Sequence, residues 1–386
     1  MISKYRRQIH VAVIMGKMAG GGVESSVLNH FRNLDHSRVQ FFFIVDSDSE
    51  VVPKAEIESL GGKIFTVTSH KNFIKHMKEC YDIFKLIKPD IVHSHLNALS
   101  IFPLCAAKIA HIPVRIAHSH STSNPHEPIR NIAKDILRPF ACAFPTHLAA
   151  CSKHASIWLF GKRKTENGRV KIIRNAIDIA HYSYSKSLRN AKRSELDIGE
   201  YQLVIGCVGR LSTQKNQIFA EDVFAQLLKL KPDALLLIVG GGPLKQLLQD
   251  HANSLGITNS VLFLGIRSDM SQLYQVFDAL LFPSLYEGLG MVAIEAQASD
   301  LPVLASTNVP NEARIVDDLV ENISIESGSE YWAKHLLQLL NRRSSEAHQH
   351  RKNRDKEIAA AGYDIKQSAE SLSEWYEQLV EQRKIR

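Results

Sequence analysis

The segment ALLFPSLYEGLGMVAIE, residues 279–295, carries the clearest structural pattern in the sequence. Its apolar beginning, Ala279–Phe282, predicts a strand buried in a parallel sheet. Two glutamates, Glu287 and Glu295, then stand eight residues apart on either side of a glycine-bearing turn. One is expected on the loop and the other about a turn inside the following helix. The segment therefore predicts the strand, loop and helix of an α/β fold.

The turn itself has the composition of an anion-binding loop. Gly288 and Gly290 let the backbone approach a ligand closely, and the free amides at the helix start suit a phosphate. A simpler interpretation is that Glu287 only complements the positive end of the helix dipole. The segment alone leaves both interpretations open.

A second segment, GRLSTQKN at residues 209–216, follows the apolar run Leu203–Val208. Arg210 and Lys215 stand five residues apart after a predicted strand that ends in glycine. Arginine offers a planar fork of donors and lysine a point charge, so the pair is suited to clamp a diphosphate. Basic residues after a strand are common, and the prediction depends on finding both segments in the same half of the chain.

Short apolar runs alternate with helical patterns along the whole chain, which is typical of βαβ units with parallel sheets. The first half contains predicted strands at residues 10–15, 40–45, 63–67, 90–93, 114–118 and 147–150. The second half contains them at residues 203–208, 234–239, 261–264, 279–282 and 302–305. With 386 residues the chain is long enough for two cores. We predict an α/β protein with two Rossmann-like, doubly wound parallel-sheet domains that face each other across a ligand-binding cleft.

The predicted linker is the polar stretch 183–200, where no strand pattern is present. It separates an amino-terminal domain, residues 1–182, from a carboxy-terminal domain, residues 201–364. A last helical segment, residues 365–386, follows the second domain and can fold back onto the first.

The net charge of +7 is unevenly distributed. Residues 1–182 carry 25 basic and 14 acidic side chains, a balance of +11, and the rest of the chain has a balance of −4. The asymmetry indicates that the amino-terminal half meets an anionic partner, although a solvated basic face would have the same composition. Because the basic cluster 153–171 surrounds Trp158 and Phe160, an anionic membrane surface is the expected partner. The lysines do not alternate with aromatic residues, so we expect no nucleic-acid binding.

Other sequence features bear on the compartment. The five cysteines include no CxxC pair, which argues against a disulfide framework or a zinc knuckle. The apolar run Val11–Met15 is too short for a signal peptide, and no apolar stretch approaches the roughly 20 residues that cross a bilayer. We expect a cytoplasmic protein.

Taken together, the motifs resemble those of the family 4 glycosyltransferases, a large group of retaining enzymes with the two-domain GT-B architecture. The resemblance covers nearly the whole chain. The E-x7-E element of the family matches Glu287 and Glu295. Its arginine and lysine after the first strand of the donor domain match Arg210 and Lys215.

Two elements of the amino-terminal domain match as well. The glycine-rich loop after the first strand matches GGGVE at residues 20–24, and the histidine closing a later strand matches His118. The resemblance implies that Gly21 and Gly22 offer backbone amides to the donor phosphates. It also implies that His118 contacts the sugar or the reaction centre, with His120 as the alternative because it shares the same face of the strand.

In the second domain, the resemblance implies a division of labour within the donor site. Arg210 and Lys215 would neutralise the leaving diphosphate, Glu295 would hold the ribose hydroxyls, and Glu287 would orient the donor sugar. The loop and helix start complete the donor site with Gly288, Leu289, Gly290 and Met291. We expect no metal and no other cofactor, because protein cations and amides would stabilise the developing charge.

Three other patterns suggest different functions. Asp46-Ser-Asp48 has the spacing of a metal-binding DxD motif, but it lies in the half without donor motifs, so a solvated loop is predicted. The glycine loop does not fit G-x-G-x-x-G, so we expect no NAD binding.

Four histidines alternate along two predicted strands: His93, His95, His118 and His120. Alternation fixes no tetrahedral set of ligands, so a structural role is predicted for them as a group rather than a metal site.

The resemblance thus implies a retaining, metal-independent hexosyltransferase that uses a nucleotide-diphosphate sugar, with UDP-sugar expected. Its acceptor would be a glycan or a polyprenyl-diphosphate-linked sugar in the biosynthesis of exopolysaccharide, capsule or lipopolysaccharide. It would act at the inner face of the cytoplasmic membrane as a peripheral protein. A nucleotide-sugar 2-epimerase of the same architecture and a non-catalytic GT-B subunit are the alternatives.

Overall fold

The computed structural model describes residues 7–120, 136–200, 202–347 and 351–384. The chain divides into two compact units, residues 1–177 with 362–386 and residues 178–361. Each unit is built around one parallel sheet. The predicted α/β class with two Rossmann-like domains is confirmed.

The sheet of the first unit contains seven strands. They are β1 Ile9–Gly16, β2 Val39–Asp46, β3 Lys63–Val67, β4 Ile91–Ser94, β5 Val114–Ser119, β6 His147–Ala150 and β7 Val170–Ile172. Their order across the sheet is 3-2-1-4-5-6-7, and every neighbouring pair is parallel. The strand order reverses between β1 and β4, and ligands of such sheets bind beyond the carboxyl ends of strands at this point.

Helices cover both faces of this sheet, and the continuous apolar run of β2 is buried along its whole length for that reason. Within residues 1–177, the described helices are α1 Gly22–Asn33, α2 Lys54–Ser59, α3 Phe73–Ile87, α4 Ile101–Ile109, α5 Lys153–Phe160 and α6 Lys162–Glu166.

The second unit repeats the plan with six parallel strands in the order 10-9-8-11-12-13. The strands are β8 Val204–Val208, β9 Leu235–Val239, β10 Val261–Gly265, β11 Ala279–Phe282, β12 Val303–Ser306 and β13 Val320–Ile323. The helices are α7 Ile179–Tyr182, α8 Lys186–Glu195, α9 Gln217–Leu228, α10 Lys245–Ser254, α11 Met270–Val276, α12 Met291–Ala298, α13 Ser329–Ala347 and α14 Asp355–Ala360. The order reverses between β8 and β11, the two strands that precede the predicted donor motifs.

The last helix, α15 Ile365–Lys384, returns to the first unit and packs against α1. Its apolar side chains Ala369, Leu372 and Tyr376 are buried in the same core as Val27 and Phe31 of α1. The carboxy-terminal helix is therefore a structural part of the first unit.

The stretch 183–200, predicted as a linker, is folded into the second unit through helix α8. Arg193 of this helix is 3% exposed and pairs with Asp278 at 2.9 Å, while Lys192 pairs with Asp269 at 2.7 Å. The sequence pattern suggested solvated charges because two acidic partners, Asp269 and Asp278, lie about 80 residues further along the chain, whereas Lys192 also pairs locally with Glu195 at 2.7 Å. Burial of such cations is tolerated only with these partners.

Among the helices of the described residues, none combines the length and the apolar composition that a membrane span requires. The five cysteines are free thiols.

Candidate active site

The loops that follow β8 and β11 lie side by side, because these two strands are neighbours in the second sheet. The backbone amide of Leu285 donates to the carbonyl of Gln214 at 2.8 Å. The side-chain amide of Gln214 donates to the carbonyl of Tyr286 at 3.1 Å. These two hydrogen bonds join the loop 209–216 to the loop 283–290. The two motifs that the sequence placed about 70 residues apart therefore form one site.

Lys215 and Glu287 form an ion pair between these two loops, with 2.6 Å between Nζ and Oε1. Their side chains are only 16% and 8% exposed. The Lys215 ammonium also lies 5.0 Å from the centre of the Phe282 ring, which adds a cation–π contact. Gly209 leaves room for the lysine stem, since a Cβ there would come within 3.0 Å of Lys215 Cε. The ammonium is thus held in place by the protein itself.

Arg210 lies on the same loop, and its side chain is exposed. The side-chain amide of Gln217 donates to the backbone carbonyl of Arg210 at 3.0 Å. This bond fixes the backbone of the arginine without occupying the guanidinium. Gly240 packs against the loop so closely that a Cβ on it would lie 2.1 Å from the carbonyl of Gly209. The glycines after β9 are therefore needed for close packing of two loops.

The start of helix α12 is formed as the sequence predicts. Gly290 adopts a left-handed conformation with φ of 91° and caps the helix, while Leu289 is buried at 3% exposure. Gly288 and Met291 on either side are partly exposed. The left-handed turn lets the chain pass from the Glu287 loop into the helix, and it explains the requirement for glycine at this position.

Glu295 lies one turn further along α12 and accepts a hydrogen bond from the Tyr274 hydroxyl at 2.7 Å. Burial raises the pKa of Glu295 to about 7, against the opposing effects of the Tyr274 hydrogen bond and the Lys215 charge. Its carboxyl group can therefore change charge near neutral pH.

The structure adds two residues to this site that sequence reasoning did not identify. Tyr274 belongs to α11, where it is fully buried, and Phe282 ends β11 beneath the lysine. A buried tyrosine inside the apolar pattern of a helix gives no sequence signal of its own. Phe282 is indistinguishable in sequence from a core residue of the strand.

In the first unit, the glycine loop is exposed at Gly20, Gly21 and Gly22. Gly21 caps helix α1, and its amide donates to the carboxylate of Glu24, which also accepts from the Ala19 amide at 3.3 Å. This capping box already uses the Gly21 amide that was expected to bind phosphate. A phosphate at Gly21 would have to displace Glu24.

The neighbouring strands β4 and β5 both lead into the sequence His-Ser-His, at residues 93–95 and 118–120. We call the four buried imidazoles the histidine cluster: His93, His95, His118 and His120. His93 Nε2 lies 3.0 Å from His118 Nδ1, and His95 Nδ1 lies 2.7 Å from His120 Nε2. The rings of His118 and His120 stack with their centroids 4.0 Å apart. Both histidines proposed for function thus belong to one hydrogen-bonded and stacked group.

Burial keeps the histidine cluster uncharged. It lowers the pKa of His93 and of His120 to about 3, and it lowers the pKa of His95 and of His118 well below the usual range. The cluster borders a cavity of about 20 Å³, together with Ser26 and His30 of α1 and Tyr376 of α15. A cavity of this size accommodates one water molecule.

Ring nitrogens of His93, His95 and His118 lie within 4.8 Å of one another, which raises the question of a metal ion. The His93 and His95 rings stack at 4.3 Å with 27° between their planes, and the His93 and His118 planes differ by 12°. A bound ion must lie in the plane of each imidazole at about 2.0 Å from nitrogen, and stacked rings do not meet this condition together. The arrangement favours hydrogen bonds between imidazoles over coordination.

The prediction of a solvated loop at Asp46 and Asp48 is wrong for Asp46, whose side chain is buried at the end of β2. Asp46 accepts hydrogen bonds from the backbone amide of His70 at 3.0 Å and from His70 Nδ1. Both donors bind Oδ2 and compensate the burial of that oxygen, whereas Oδ1 is buried without a hydrogen-bond partner among the described residues. Asp48 is partly buried and lies 3.5 Å from the ammonium of Lys71.

Comparison with known proteins assigns the two halves to named families. Residues 189–357 match Glycosyl transferases group 1, and residues 20–181 match Glycosyltransferase Family 4. The protein named glycosyltransferase EpsF from Bacillus subtilis (strain 168) is 31% identical over 385 residues, which is 97% of each chain. The UDP-Gal:alpha-D-GlcNAc-diphosphoundecaprenol alpha-1,3-galactosyltransferase of Escherichia coli is 24% identical over 313 residues, covering 79% of this chain and 81% of that protein.

Solved structures share the fold. Anabaena HepE, crystallised with UDP and glucose, aligns with a TM-score of 0.76 at 19% identity and covers 96% of this chain and 100% of its own. WaaG, a glycosyltransferase involved in lipopolysaccharide biosynthesis, aligns with a TM-score of 0.66 at 19% identity, covering 96% and 98%. Since EpsF matches nearly the whole chain and each half matches a glycosyltransferase family, the protein belongs to the GT-B glycosyltransferases of family 4 and group 1.

Proposed function

We propose that the protein is a retaining glycosyltransferase that takes a sugar from a UDP-sugar and passes it to a glycan or a polyprenyl-diphosphate-linked acceptor. The pathway would be the synthesis of a bacterial cell-surface polysaccharide. The observation that carries the proposal is the single site formed in the second unit by Arg210, Lys215, Glu287 and Glu295. The name of the Escherichia coli relative supports the proposal, because it specifies UDP-galactose and a diphosphoundecaprenol-linked sugar.

In this proposal, Arg210 and Lys215 stabilise the negative charge that develops on the departing diphosphate. Lys215 is held in advance by Glu287 and Phe282, so little reorganisation is needed when the bond to the sugar breaks. Gly288 and Met291 are partly exposed residues beside the start of α12, where the diphosphate would meet the positive end of the helix. A contact of this kind contributes about 3 to 4 kcal/mol to transition-state stabilisation. We propose that no metal is required.

The two glutamates would divide the rest of the donor. Glu295, held by Tyr274, would accept hydrogen bonds from the ribose hydroxyls. Glu287 lies on the loop beside Lys215 and would orient the sugar. Both assignments place a carboxylate within reach of hydroxyl donors, which is how proteins discriminate a bound polyol.

The first unit would bind the acceptor and supply His118. The backbone amide of Gly22 would donate a hydrogen bond to the donor phosphates, and that of Gly21 would do so after displacement of Glu24. We also propose that this unit docks on anionic lipid. Lys162 and Arg163 at the start of α6 are exposed, which suits a reversible electrostatic contact.

The apolar part of that contact differs from the one expected from sequence. The sequence suggested Trp158 and Phe160, but Phe160 and its neighbour Leu159 are buried core residues of α5, and Trp158 is partly buried against the same core. Ile136 and Phe140 instead are 62% and 56% exposed. Arg138 between them lies 5.8 Å from the Trp158 ring, which brings this apolar pair close to α5. We propose these two side chains as the membrane-inserting pair.

Transfer can be tested with purified protein, a panel of UDP-sugars and a polyprenyl-diphosphate-linked monosaccharide, in buffer containing EDTA. We expect release of UDP that depends on the acceptor, and a product whose new glycosidic linkage keeps the anomeric configuration of the donor by NMR. Release of UDP at the same rate without acceptor, or conversion of the UDP-sugar into its 2-epimer, would instead support the 2-epimerase alternative. Activity that requires added manganese would contradict the metal-independent mechanism.

Membrane docking can be tested by sedimentation with vesicles. We expect binding to phosphatidylglycerol vesicles, release at high salt, and no binding to neutral vesicles. Replacing Ile136 and Phe140 by serine should weaken sedimentation, whereas replacing the exposed Leu247 of the second unit should not. Equal binding to neutral and anionic vesicles would contradict the electrostatic contact.

A further inference from the structure

A continuous chain of hydrogen bonds joins the last helix to the proposed functional histidine. The Tyr376 hydroxyl of α15 lies 2.7 Å from His93 Nδ1, and His93 Nε2 lies 3.0 Å from His118 Nδ1. Tyr376 and His93 are each 1% exposed, and His118 is 3% exposed. The three side chains lie in the first unit, although Tyr376 is 283 residues away from His93 in sequence.

The direction of each proton in this chain follows from counting donors. A buried hydroxyl must place its proton on an acceptor, and His93 Nδ1 is the partner of the Tyr376 hydroxyl within the described residues. Burial also raises the pKa of Tyr376, so the hydroxyl keeps its proton. His93 Nδ1 therefore accepts. A neutral imidazole carries one N–H, so His93 must donate from Nε2 to His118 Nδ1.

The same rule then fixes His118. Its Nδ1 accepts from His93, so a neutral His118 carries its proton on Nε2. His118 Nε2 is buried and has no partner within the described part of the chain. It therefore remains a donor that is ready for an oxygen atom.

Two other polar side chains beside the cavity, His30 and Ser26, have hydrogen-bond partners of their own. His30 Nδ1 donates to the carbonyl of Ser26 at 2.9 Å, so its Nε2 accepts from the Ser368 hydroxyl at 2.9 Å. The Ser26 hydroxyl donates to Asn175 at 2.8 Å. Among the cavity-lining side chains that the structure describes, His118 Nε2 and His120 Nδ1 are the ring nitrogens that are fully buried without a hydrogen-bond partner.

We propose that Tyr376 is a positioning residue: through His93 it fixes His118 as the Nε2–H tautomer, which donates a hydrogen bond to an oxygen of the reactants. That oxygen would be a hydroxyl of the sugar substrates, and this part rests on the proposed transferase function. In the unliganded protein a water molecule in the cavity would accept the same bond. The carboxy-terminal helix thus has a role in the site that the motifs of the sequence do not indicate.

The tautomer can be measured independently of any activity. In protein labelled with ¹⁵N in the histidine rings, long-range ¹H–¹⁵N correlation spectra distinguish protonated from bare ring nitrogens, and a His118→Gln variant assigns the signals. We expect wild-type His118 to be protonated at Nε2 and bare at Nδ1. In Tyr376→Phe, which loses only the hydroxyl, a substantial Nδ1–H population should appear. A wild-type His118 protonated at Nδ1, or an unchanged tautomer in Tyr376→Phe, would overturn the proposal.

Two further comparisons separate this role from general packing. Tyr363→Phe removes the hydroxyl of another buried tyrosine of the same unit and should leave the His118 signals unchanged. His93→Gln keeps a donor towards His118 and should preserve the tautomer, whereas His93→Leu should lose it. If Tyr376→Phe does not fold, the comparison of His93→Gln with His93→Leu still tests whether His93 sets the tautomer of His118. Loss of the tautomer in His93→Gln and His93→Leu alike would contradict the relay.

Kinetics then tests the catalytic consequence. Tyr376→Phe should lower kcat about tenfold with little change in the donor KM, because one transition-state hydrogen bond is weakened. An altered tautomer with unchanged kcat would refute the catalytic part while leaving the relay intact. If the wild-type protein transfers no sugar at all, the proposed function fails, yet the NMR experiment still decides the tautomer.

Discussion

The two units present different chemistry beyond the carboxyl ends of their sheets. In the second unit, charged side chains on two joined loops form the site, with Lys215 paired to Glu287 and Arg210 exposed. In the first unit, the corresponding edge holds the histidine cluster, whose members burial keeps neutral. The first 182 residues nevertheless carry the balance of +11 and the remainder the balance of −4. Net charge therefore predicts the outer surface of a domain and not the chemistry of its site.

The largest expected effect is on turnover, from the exposed cation of the second unit. Arg210→Ala should reduce kcat by about two to three orders of magnitude, because one of the cations aimed at the leaving diphosphate is lost. The melting temperature should not change, since the side chain is exposed. Arg314→Ala removes another exposed arginine of the same unit and serves as the control, with kcat unchanged. Near-normal turnover in Arg210→Ala would remove this residue from the clamp.

The paired cation should affect stability as well as turnover. Lys215→Ala leaves Glu287, which is 8% exposed, without its partner, and we expect a loss of about 2 kcal/mol in the free energy of unfolding. The double variant Lys215→Ala with Glu287→Gln should regain most of this stability but no activity. Denaturant unfolding and steady-state rates measure the two quantities separately. Full stability in Lys215→Ala would show that the pair is not energetically coupled.

The neutral histidines of the first unit should make folding sensitive to acid. Their folded pKa values lie below the unfolded value of about 6.5, so between about pH 3 and 6.5 the unfolded chain binds more protons. Above pH 6.5 these histidines do not lower the free energy of unfolding. Below pH 6.5 the free energy of unfolding falls by about 1.4 kcal/mol per pH unit for each such histidine.

Unfolding experiments at pH 7.5, 6.0 and 5.0 measure this slope. His120→Gln should make it shallower, whereas His111→Asn, at an exposed histidine, should leave it unchanged. A variant of the histidine cluster with the wild-type slope would show that the replaced imidazole is charged or exposed in the folded protein.

The smallest expected effect concerns Glu295, because its pKa of about 7 lies inside the working range. If the carboxylate form holds the ribose, UDP affinity should rise as much as about tenfold from pH 6 to pH 8. Glu295→Gln should bind UDP more weakly and with little pH dependence. Calorimetric titration at the two pH values measures both effects. A wild-type affinity that does not vary with pH would contradict an ionising ribose ligand.

Much of the fold could be predicted from hydrophobic pattern alone, because parallel strands buried on both faces form continuous apolar runs. The pattern located eleven strands and missed β7 and β13, which are short strands at the sheet edges. It also took helix α8 for a linker, since Asp269 and Asp278, which pair with its buried cations, lie far along the chain.

The candidate site was predictable where its chemistry is local in sequence. Glycines, glutamates and cations that follow strand ends identified the loops around Lys215 and Glu287. The His-Ser-His repeat was visible as well, but its hydrogen bonds depend on the register of β4 and β5. Tyr376 could not be found because it is 283 residues away from His93 in sequence, and Tyr274 because a buried tyrosine does not differ in sequence from the core residues of its helix.

Binding of UDP in the presence of EDTA is the decisive test of a metal-independent diphosphate site in the second unit. Calorimetry should show one UDP bound per chain without any divalent ion, with the Kd raised at least tenfold in Arg210→Ala. Uridine, which lacks the diphosphate, should bind weakly and to the same extent to both proteins. Failure of UDP to bind, or equal affinity of wild type and Arg210→Ala for UDP, would contradict a nucleotide-diphosphate site in the second unit.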